Sequence, residues 1–173
     1  MAMEIGWKII GNLTDKNVLG TDGLSSNPPR KKSRAILVNE DDKIAVIYEK
    51  ESNYHALPGG GIEHGEDEVS ALIREIAEET GCLCDDIEPL GVVYENRYHA
   101  DTTHLSYFFV VHTKNTQAEL HLTDEEVTIG TTMKWCSIDE AWKLINNNSP
   151  DTYQKRFLQA RDLAALNEYI KSR

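Results

Sequence analysis

The sequence predicts a single α+β domain in which helices pack on a β-sheet. Its candidate elements follow the order strands, one acidic helix, further strands and then C-terminal helices. An order of this kind builds a layered domain around one hydrophobic core. The 173 residues are enough for one well-packed domain with a small extension. We therefore divide the chain into an N-terminal strand and loop extension, residues 1–32, and a main domain, residues 33–173.

The first part of the chain contains three predicted strands. A short apolar run at 7–10 is the first of them, and the polar segment 12–33, with its glycines and prolines, predicts a loop. The runs 33–38 and 43–49 flank a polar turn, which predicts a β-hairpin. The basic triplet at 30–32 is expected to lie in the loop with its side chains solvated.

Past the acidic helix, the sequence predicts three more strands and two more helices. The strands lie within 87–98, 105–111 and 131–136, and the second is apolar enough for a central buried strand. Ser137 begins a capping box for a short helix that reaches Ile145. A last helix is predicted to start at Ser149-Pro150, with an apolar stripe of Phe157, Ala160, Ala164 and Ile170.

The acidic helix is the most informative segment. From Gly60 to Cys82 the chain is GGIEHGEDEVSALIREIAEETGC. A helix that starts near Asp67 turns about 100° per residue and gathers three carboxylates on one face, those of Glu75, Glu78 and Glu79. The opposite side carries an apolar face of Val69, Leu72, Ile73, Ile76 and Thr80.

Carboxylates crowded in this way repel one another, which favours a bound divalent cation over a bare acidic face. Oxygen ligands suit Mg²⁺ or Mn²⁺. A solvated acidic helix is the alternative, but the glycines at 59–61 indicate a loop whose backbone closely approaches another group. Gly81 is expected to end the helix as a left-handed cap.

The segment from Gly60 to Cys82 resembles the Nudix box, G-x5-E-x7-R-E-U-x-E-E-x-G-U, where U is aliphatic. Every fixed polar and glycine position matches, and Cys82 stands where the family usually has an aliphatic residue. The resemblance is tight over this segment and loose over about 33–146. It implies an α/β/α sandwich with a mixed β-sheet between helices, and metal-assisted attack of water on a diphosphate.

The resemblance also implies roles for particular residues. Glu78 and Glu79 would be the main metal ligands, and Glu75 a further ligand or the base that takes a proton from water. The carbonyl of Gly59 would complete the metal site. Arg74 would orient the glutamates, and Glu66 would brace the loop. The catalytic set is therefore predicted as Glu75, Arg74 and Glu78.

A further acidic ligand is expected from the polar segment 114–128, with Glu125 or Glu126 preferred. The alternative is a solvated surface loop. His99 and His104 flank a predicted hairpin turn, where they either line the pocket or lie on the surface.

The predicted substrate is a small phosphorylated molecule, a nucleoside diphosphate derivative or a nucleoside triphosphate. Tyr98 and His55 are the candidate substrate contacts, each with a packing role as the alternative. Other aromatic side chains that could stack on a base are Tyr94, Tyr107 and Phe108. The alternative function is a non-catalytic nucleotide-binding or sensor module on the same scaffold.

Composition limits the partners. The formal charge of −11, from 18 basic and 29 acidic residues, argues against binding to duplex nucleic acid. No apolar run is long enough to span a membrane, and no secretory signal is evident, so a cytoplasmic location is expected. Three cysteines indicate a reducing compartment, with a zinc site at Cys82 and Cys84 as the alternative. The N-terminal segment is a candidate contact for a homodimer.

Overall fold

The computed structural model describes residues 6–114, 124, 127 and 130–173, and its strands form one mixed sheet. The strands are β1 (Ile9–Thr14), β2 (Arg30–Asn39), β3 (Ile44–Glu49), β4 (Tyr54–Ala56), β5 (Gly59–Gly61), β6 (Asp86–Arg97), β7 (Thr102–Thr113) and β8 (Thr131–Cys136). The helices are α1 (Asp15–Leu19), α2 (Glu68–Thr80), α3 (Ile138–Asn146) and α4 (Tyr153–Ser172), and a 3-10 turn (Tyr98–Ala100) joins β6 to β7.

The sheet has the order β1-β6-β7-β2-β3-β4, with β5 added to β2 and β8 added to β3. The β1–β6 and β2–β7 pairs are parallel, and the other pairs are antiparallel. The predicted hairpin of β2 and β3 is confirmed, and β7 is central as expected. β1 is an edge strand of this same sheet, so the division at residue 32 stays a prediction.

The two faces of the sheet carry separate hydrophobic cores. Ala35 and Leu37 belong to the core that contains Leu72 and Ile76 of α2. Ile36, Val38 and Phe108 point the other way, because side chains alternate along a strand, and pack with α3 and α4. Each large aliphatic side chain buried in this way contributes about 1.5–3 kcal/mol. The α/β/α sandwich is therefore confirmed.

Helix α2 begins and ends where the sequence predicts. The Asp67 side chain accepts the N–H of Ser70, and Gly81 ends the helix with a φ of 69°. The predicted apolar face was too wide, since Val69 and Ile73 are 41% and 46% exposed. Leu72 and Ile76 alone supply its large buried aliphatic contacts.

Four boundaries differ from prediction. The basic triplet lies at the start of β2, where it pairs with β7, and α1 falls within the predicted loop 12–33. The first strand covers Ile9–Thr14 and not residues 7–10. The last helix is capped by Thr152 and not Ser149, because the Thr152 side chain accepts the N–H of Lys155.

The apolar stripe predicted on the last helix was also wrong in part. Phe157 is buried, but Ile170 is 42% exposed. The buried face includes Arg161 and Asp162, a charged pair that apolar periodicity does not reveal. No helix in the described part of the chain is long and apolar enough to cross a membrane.

Candidate active site

The backbone of β5 is bonded to the last turn of α2. The N–H of Gly59 donates a hydrogen bond of 2.7 Å to Oε2 of Glu79. The Glu75 carboxylate lies against Gly60, because a Cβ on Gly60 would fall 2.4 Å from the Glu75 carboxyl carbon. Gly59 has a φ of 136°, which side chains with a Cβ rarely adopt. Glycines at these positions therefore let two helix carboxylates reach the strand backbone.

Arg74 binds the carboxylates of α2 and of the loop before it. Its Nε and Nη2 donate to the two oxygens of Glu66 at 2.7 and 2.9 Å. Its Nη1 donates to Glu75 at 2.8 Å and to Glu78 at 3.4 Å, and Nη2 also reaches the Gly61 carbonyl at 3.0 Å. Arg74 is thus placed to orient three carboxylates, and its part in catalysis stays a prediction.

The two carboxylates that Arg74 binds most closely have pKa values shifted in opposite directions. The hydrogen bond from Arg74 lowers the pKa of Glu66 to about 2. Burial raises the pKa of Glu75, although its own contact with Arg74 acts in the opposite direction. Glu66 is therefore a fixed anion that holds Arg74, whereas Glu75 has the increased basicity that suits a proton acceptor.

The donor set fits a hard divalent cation. Glu75 and Glu78 converge on one Arg74 nitrogen, and Glu79 is fixed beside them by Gly59. Within the described residues, no three acidic, histidine or cysteine side chains are arranged so that they alone could hold a metal ion. An incomplete protein shell is typical of Mg²⁺, which keeps waters and shares substrate oxygens. The predicted distal ligand, Glu125 or Glu126, lies outside the described residues.

A second group of charged residues lies on the face of the sheet that α4 covers, and it adjoins the glutamates of α2. We define this basic cluster as Lys32, Arg34, Arg97, His104 and Arg161, which come from β2, β6, β7 and α4. The cluster and the glutamates meet at Gly59, since a Cβ there would fall 2.7 Å from Cγ of Arg34. The charge of Glu79 acts on Arg34 across this contact.

Burial lowers the pKa values of three residues of the basic cluster. Burial, with the nearby charge of Arg34 next in importance, lowers the pKa of Lys32 to about 7. Burial lowers the pKa of Arg34 to about 10 and that of His104 to about 3. Two arginines of the cluster are paired with neighbouring buried carboxylates. Arg97 lies 2.7 Å from Glu95 and Arg161 lies 2.8 Å from Asp162. A bound anion would relieve the remaining repulsion.

Several buried polar atoms of this region have no hydrogen-bond partner among the described residues. They are Arg34 Nε, His104 Nδ1 and Arg161 Nη1, with Glu95 Oε2 and Ser106 Oγ beside them. Most buried polar groups in folded proteins are paired, so their concentration here indicates a polar ligand site. Sequence reasoning missed it, except for His104, because its members are spread over four elements.

The two predicted substrate contacts lie elsewhere. The Tyr98 ring packs on the N-terminal segment, because a Cβ on Gly23 would fall 2.2 Å from it. His55 stacks on Tyr48 at 4.7 Å and lines a cavity at the end of α3. Neither makes a described contact with the α2 glutamates, and a role of either in substrate binding stays a prediction.

The remaining candidates are mostly structural. Tyr107 and Phe108 are fully buried core residues. Cys82, Cys84 and Cys136 are free, and burial raises the pKa of each thiol. The zinc site at Cys82 and Cys84 stays an untested alternative.

Comparison with known proteins identifies the family of the chain. A family model described as NUDIX domain matches residues 28–157. The diphosphoinositol polyphosphate phosphohydrolase 3-alpha of Mus musculus is 34% identical over 113 residues, which are 64% of this chain and 64% of that protein. The human protein of the same name is 32% identical over the same shares. The match therefore spans less than two thirds of the length of these relatives.

Solved structures share the fold. A NUDIX hydrolase from Nitrosomonas europaea has a TM-score of 0.62 and 22% identity, over 84% of this chain and 90% of that one. The Ap4A hydrolase of C. elegans has a TM-score of 0.56 and 16% identity, over 84% of this chain and 98% of that one. The fold and the complete box define a Nudix-type hydrolase scaffold, and the family match shows that the chain belongs to the Nudix family.

Proposed function

We propose that this protein is a metal-dependent hydrolase that cleaves the diphosphate linkage of a nucleoside diphosphate derivative or a nucleoside triphosphate. The observation that carries the proposal is that the acidic site and the basic cluster meet at Gly59, which donates its N–H to Glu79 and packs against Arg34. A diphosphate can then lie with one phosphate beside the glutamates and its remaining anionic groups beside Arg34 and Lys32.

The side chains divide the chemistry among them. Glu78, Glu79 and the Gly59 carbonyl would hold Mg²⁺ or Mn²⁺, which supplies charge neutralisation and an activated water. Glu75 accepts the proton of the attacking water, which suits its raised pKa. Arg74, anchored by Glu66, keeps Glu75 and Glu78 in position. The products are a nucleoside monophosphate and a phosphorylated remainder.

A second candidate substrate is a diphosphoinositol polyphosphate, the compound for which the mouse relative is named. Lys32 and Arg34 favour it, because together they could contact more than one phosphate, whereas Arg97 and Arg161 are already paired with Glu95 and Asp162. A non-catalytic binding module is less well supported, since the chain retains every glutamate of the box.

The proposal extends to the setting of the enzyme. Three free thiols support a reducing cytoplasm. The net charge of −11 supports small-molecule partners over nucleic acid duplexes or anionic membrane surfaces. The exposed Ile9 on edge strand β1 is the candidate contact for a homodimer.

A substrate panel tests the function. Purified protein would be assayed for phosphate and diphosphate release with Mg²⁺ and with Mn²⁺. The panel contains nucleoside triphosphates, dinucleoside polyphosphates, nucleotide sugars, ADP-ribose and a diphosphoinositol polyphosphate. We expect turnover of at least one nucleotide only when metal is present. Turnover confined to the inositol compound would select the second candidate, and no turnover of any compound would favour the binding module.

A further inference from the structure

A cavity of about 520 Å³ lies at the tip of the β6–β7 hairpin. It is lined by Leu19, Thr21, His99 and Tyr153. Two of these residues precede residue 28, where the match to the family model begins, so the N-terminal segment builds one wall. The volume lies in the range of small-ligand pockets.

The buried carboxylate of Asp15 holds one side of this cavity in place. Its side chain is fully buried and accepts the N–H groups of Tyr98 at 3.1 Å and His99 at 3.3 Å. It also accepts the Tyr153 hydroxyl at 2.6 Å and bonds to Nδ1 of His99. Burial alone would raise the pKa of Asp15, but the hydrogen bonds from Tyr153 and His99 lower it overall. The carboxylate is therefore ionised and acts only as an acceptor.

This arrangement fixes the chemistry of His99. Because Asp15 can only accept, Nδ1 of His99 carries the proton and Nε2 is left for another group. The His99 ring lies edge-on between Tyr98 and Tyr153, with centroids 5.6 and 5.8 Å away. Its side chain is 52% exposed. No described residue is hydrogen-bonded to Nε2, so this nitrogen is available to a ligand in the cavity that His99 lines with Leu19, Thr21 and Tyr153.

The cavity is linked to the basic cluster by a row of aromatic contacts. Tyr153 lies 5.3 Å from Phe157, and the Arg97 guanidinium lies over the Phe157 ring at 5.4 Å. Arg97 belongs to the basic cluster, which in turn meets the glutamates at Gly59. Phe157 is fully buried, so its ring packs the wall of the cavity against Arg97 from inside the protein.

We propose that this cavity binds the nucleobase of a nucleotide substrate, with Nε2 of His99 hydrogen-bonded to the edge of the base. The inference rests on the proposed function, which places the diphosphate of the nucleotide at the glutamates, and it adds where the base of the same nucleotide binds. A base has apolar faces that suit Leu19 and Tyr153, and a polar edge that suits His99 and Thr21. A phosphate suits it poorly, because the negative charge of Asp15 lies directly behind His99.

The test compares ligands that differ only by the base. AMP and UMP would each be titrated against ribose 5-phosphate by calorimetry, without metal, so that hydrolysis plays no part. We expect at least one nucleotide to bind wild-type protein about ten-fold more tightly than ribose 5-phosphate. Saturation with that nucleotide should also shift the imidazole resonances of His99 in NMR spectra.

Two variants locate the effect. Thr21→Trp fills the cavity from an exposed position and leaves the bonds of Asp15 intact, and His99→Ala removes Nε2. Both should lose the advantage of the nucleotide while the affinity for ribose 5-phosphate stays within about two-fold. His112→Ala is the matched control, since His112 is also an exposed histidine, 4.0 Å from Asp86, at the far end of β7. It should keep the full advantage.

Equal binding of both nucleotides and ribose 5-phosphate to wild-type protein would overturn the inference. So would an undiminished nucleotide advantage in Thr21→Trp. Base-selective binding without hydrolysis of any nucleotide would instead overturn the proposed function and leave the base subsite standing.

Discussion

Gly59 lies directly against Arg34. A methyl group on Gly59 would fall 2.6 Å from the Arg34 Cα and 2.3 Å from the Ser33 carbonyl oxygen. The same glycine donates its N–H to Glu79. One residue without a side chain therefore joins the helix carboxylates to the basic cluster, and the spacing between the two charged groups depends on it.

This close contact predicts that Gly59→Ala is strongly destabilising. The added methyl clashes with backbone atoms of β2, and φ of 136° is unfavourable for alanine by about 1–3 kcal/mol. Chemical denaturation should show that the free energy of unfolding falls by at least that amount. Gly61→Ala is the control, because a Cβ at Gly61 meets no atom within 4 Å. Equal stability of the two variants would contradict the packing described for β5.

Loss of one carboxylate should abolish turnover without unfolding the protein. In Glu78→Gln, the predicted metal ligand becomes neutral while its size is kept, and we expect kcat to fall by about two orders of magnitude or more. Thermal unfolding should stay cooperative. Glu88→Gln, an exposed glutamate on β6, provides the same charge change away from the site and should retain activity. Unchanged turnover in Glu78→Gln would remove Glu78 from the catalytic set.

Arg74→Lys should weaken the metal site although the charge is retained. A lysine cannot reproduce the fork that binds both oxygens of Glu66 at 2.7 and 2.9 Å. We expect the Kd for Mn²⁺ to rise by about 10–100-fold, as for other residues that orient metal ligands. Mn²⁺ titration followed by electron paramagnetic resonance measures it, with the exposed Arg156→Lys as the control. A Kd within two-fold of wild type would mean that Arg74 does not position the glutamates.

Lys32 should make stability depend on pH. Burial lowers its pKa to about 7 from an ordinary value of 10.5. Between these pH values the unfolded chain binds more protons at Lys32 than the folded chain, so the Lys32 contribution to stability rises with pH. Below pH 7 both states are protonated and the unfavourable contribution is constant.

Urea denaturation of Lys32→Met and wild type at pH 7 and 9.5 measures this contribution. At pH 7 the variant should have a larger free energy of unfolding than wild type, and this difference should be smaller at pH 9.5. Lys43→Met, at an exposed lysine, corrects for general charge effects. If the stability difference between the variant and wild type does not change with pH, the lowered pKa of Lys32 is contradicted.

The acidic half of the site could be predicted from sequence because its residues are close along the chain. Glu66 through Gly81 form one loop and one helix, and helical spacing alone brings Glu75, Glu78 and Glu79 together. The sheet between helices followed from the family resemblance. Both predictions depend on local or familial patterns that a single sequence carries.

The basic half could not be predicted because it exists only after the sheet has formed. Lys32 lies opposite Ser106 and Arg97 opposite Thr102, so the register of β2, β7 and β6 brings both onto one sheet, and one sequence does not specify that register. Arg161 and Asp162 occupy a buried helix face where apolar periodicity predicts hydrophobic residues. The packing of the Tyr98 ring on Gly23 could not be predicted either, because the two residues are far apart in sequence, and the role of Tyr98 in substrate binding stays a prediction.

The parallel pairing of β1 with β6 sets an order for folding during synthesis. Ile9 lies opposite Val92 and Thr14 opposite Asn96. β1 leaves the ribosome before β6 and therefore has no partner in the sheet until β6 has also emerged. We expect β1 and α1 to join the sheet after its other strands have paired. The part of the cavity around His99 that the N-terminal segment lines is then completed late in folding.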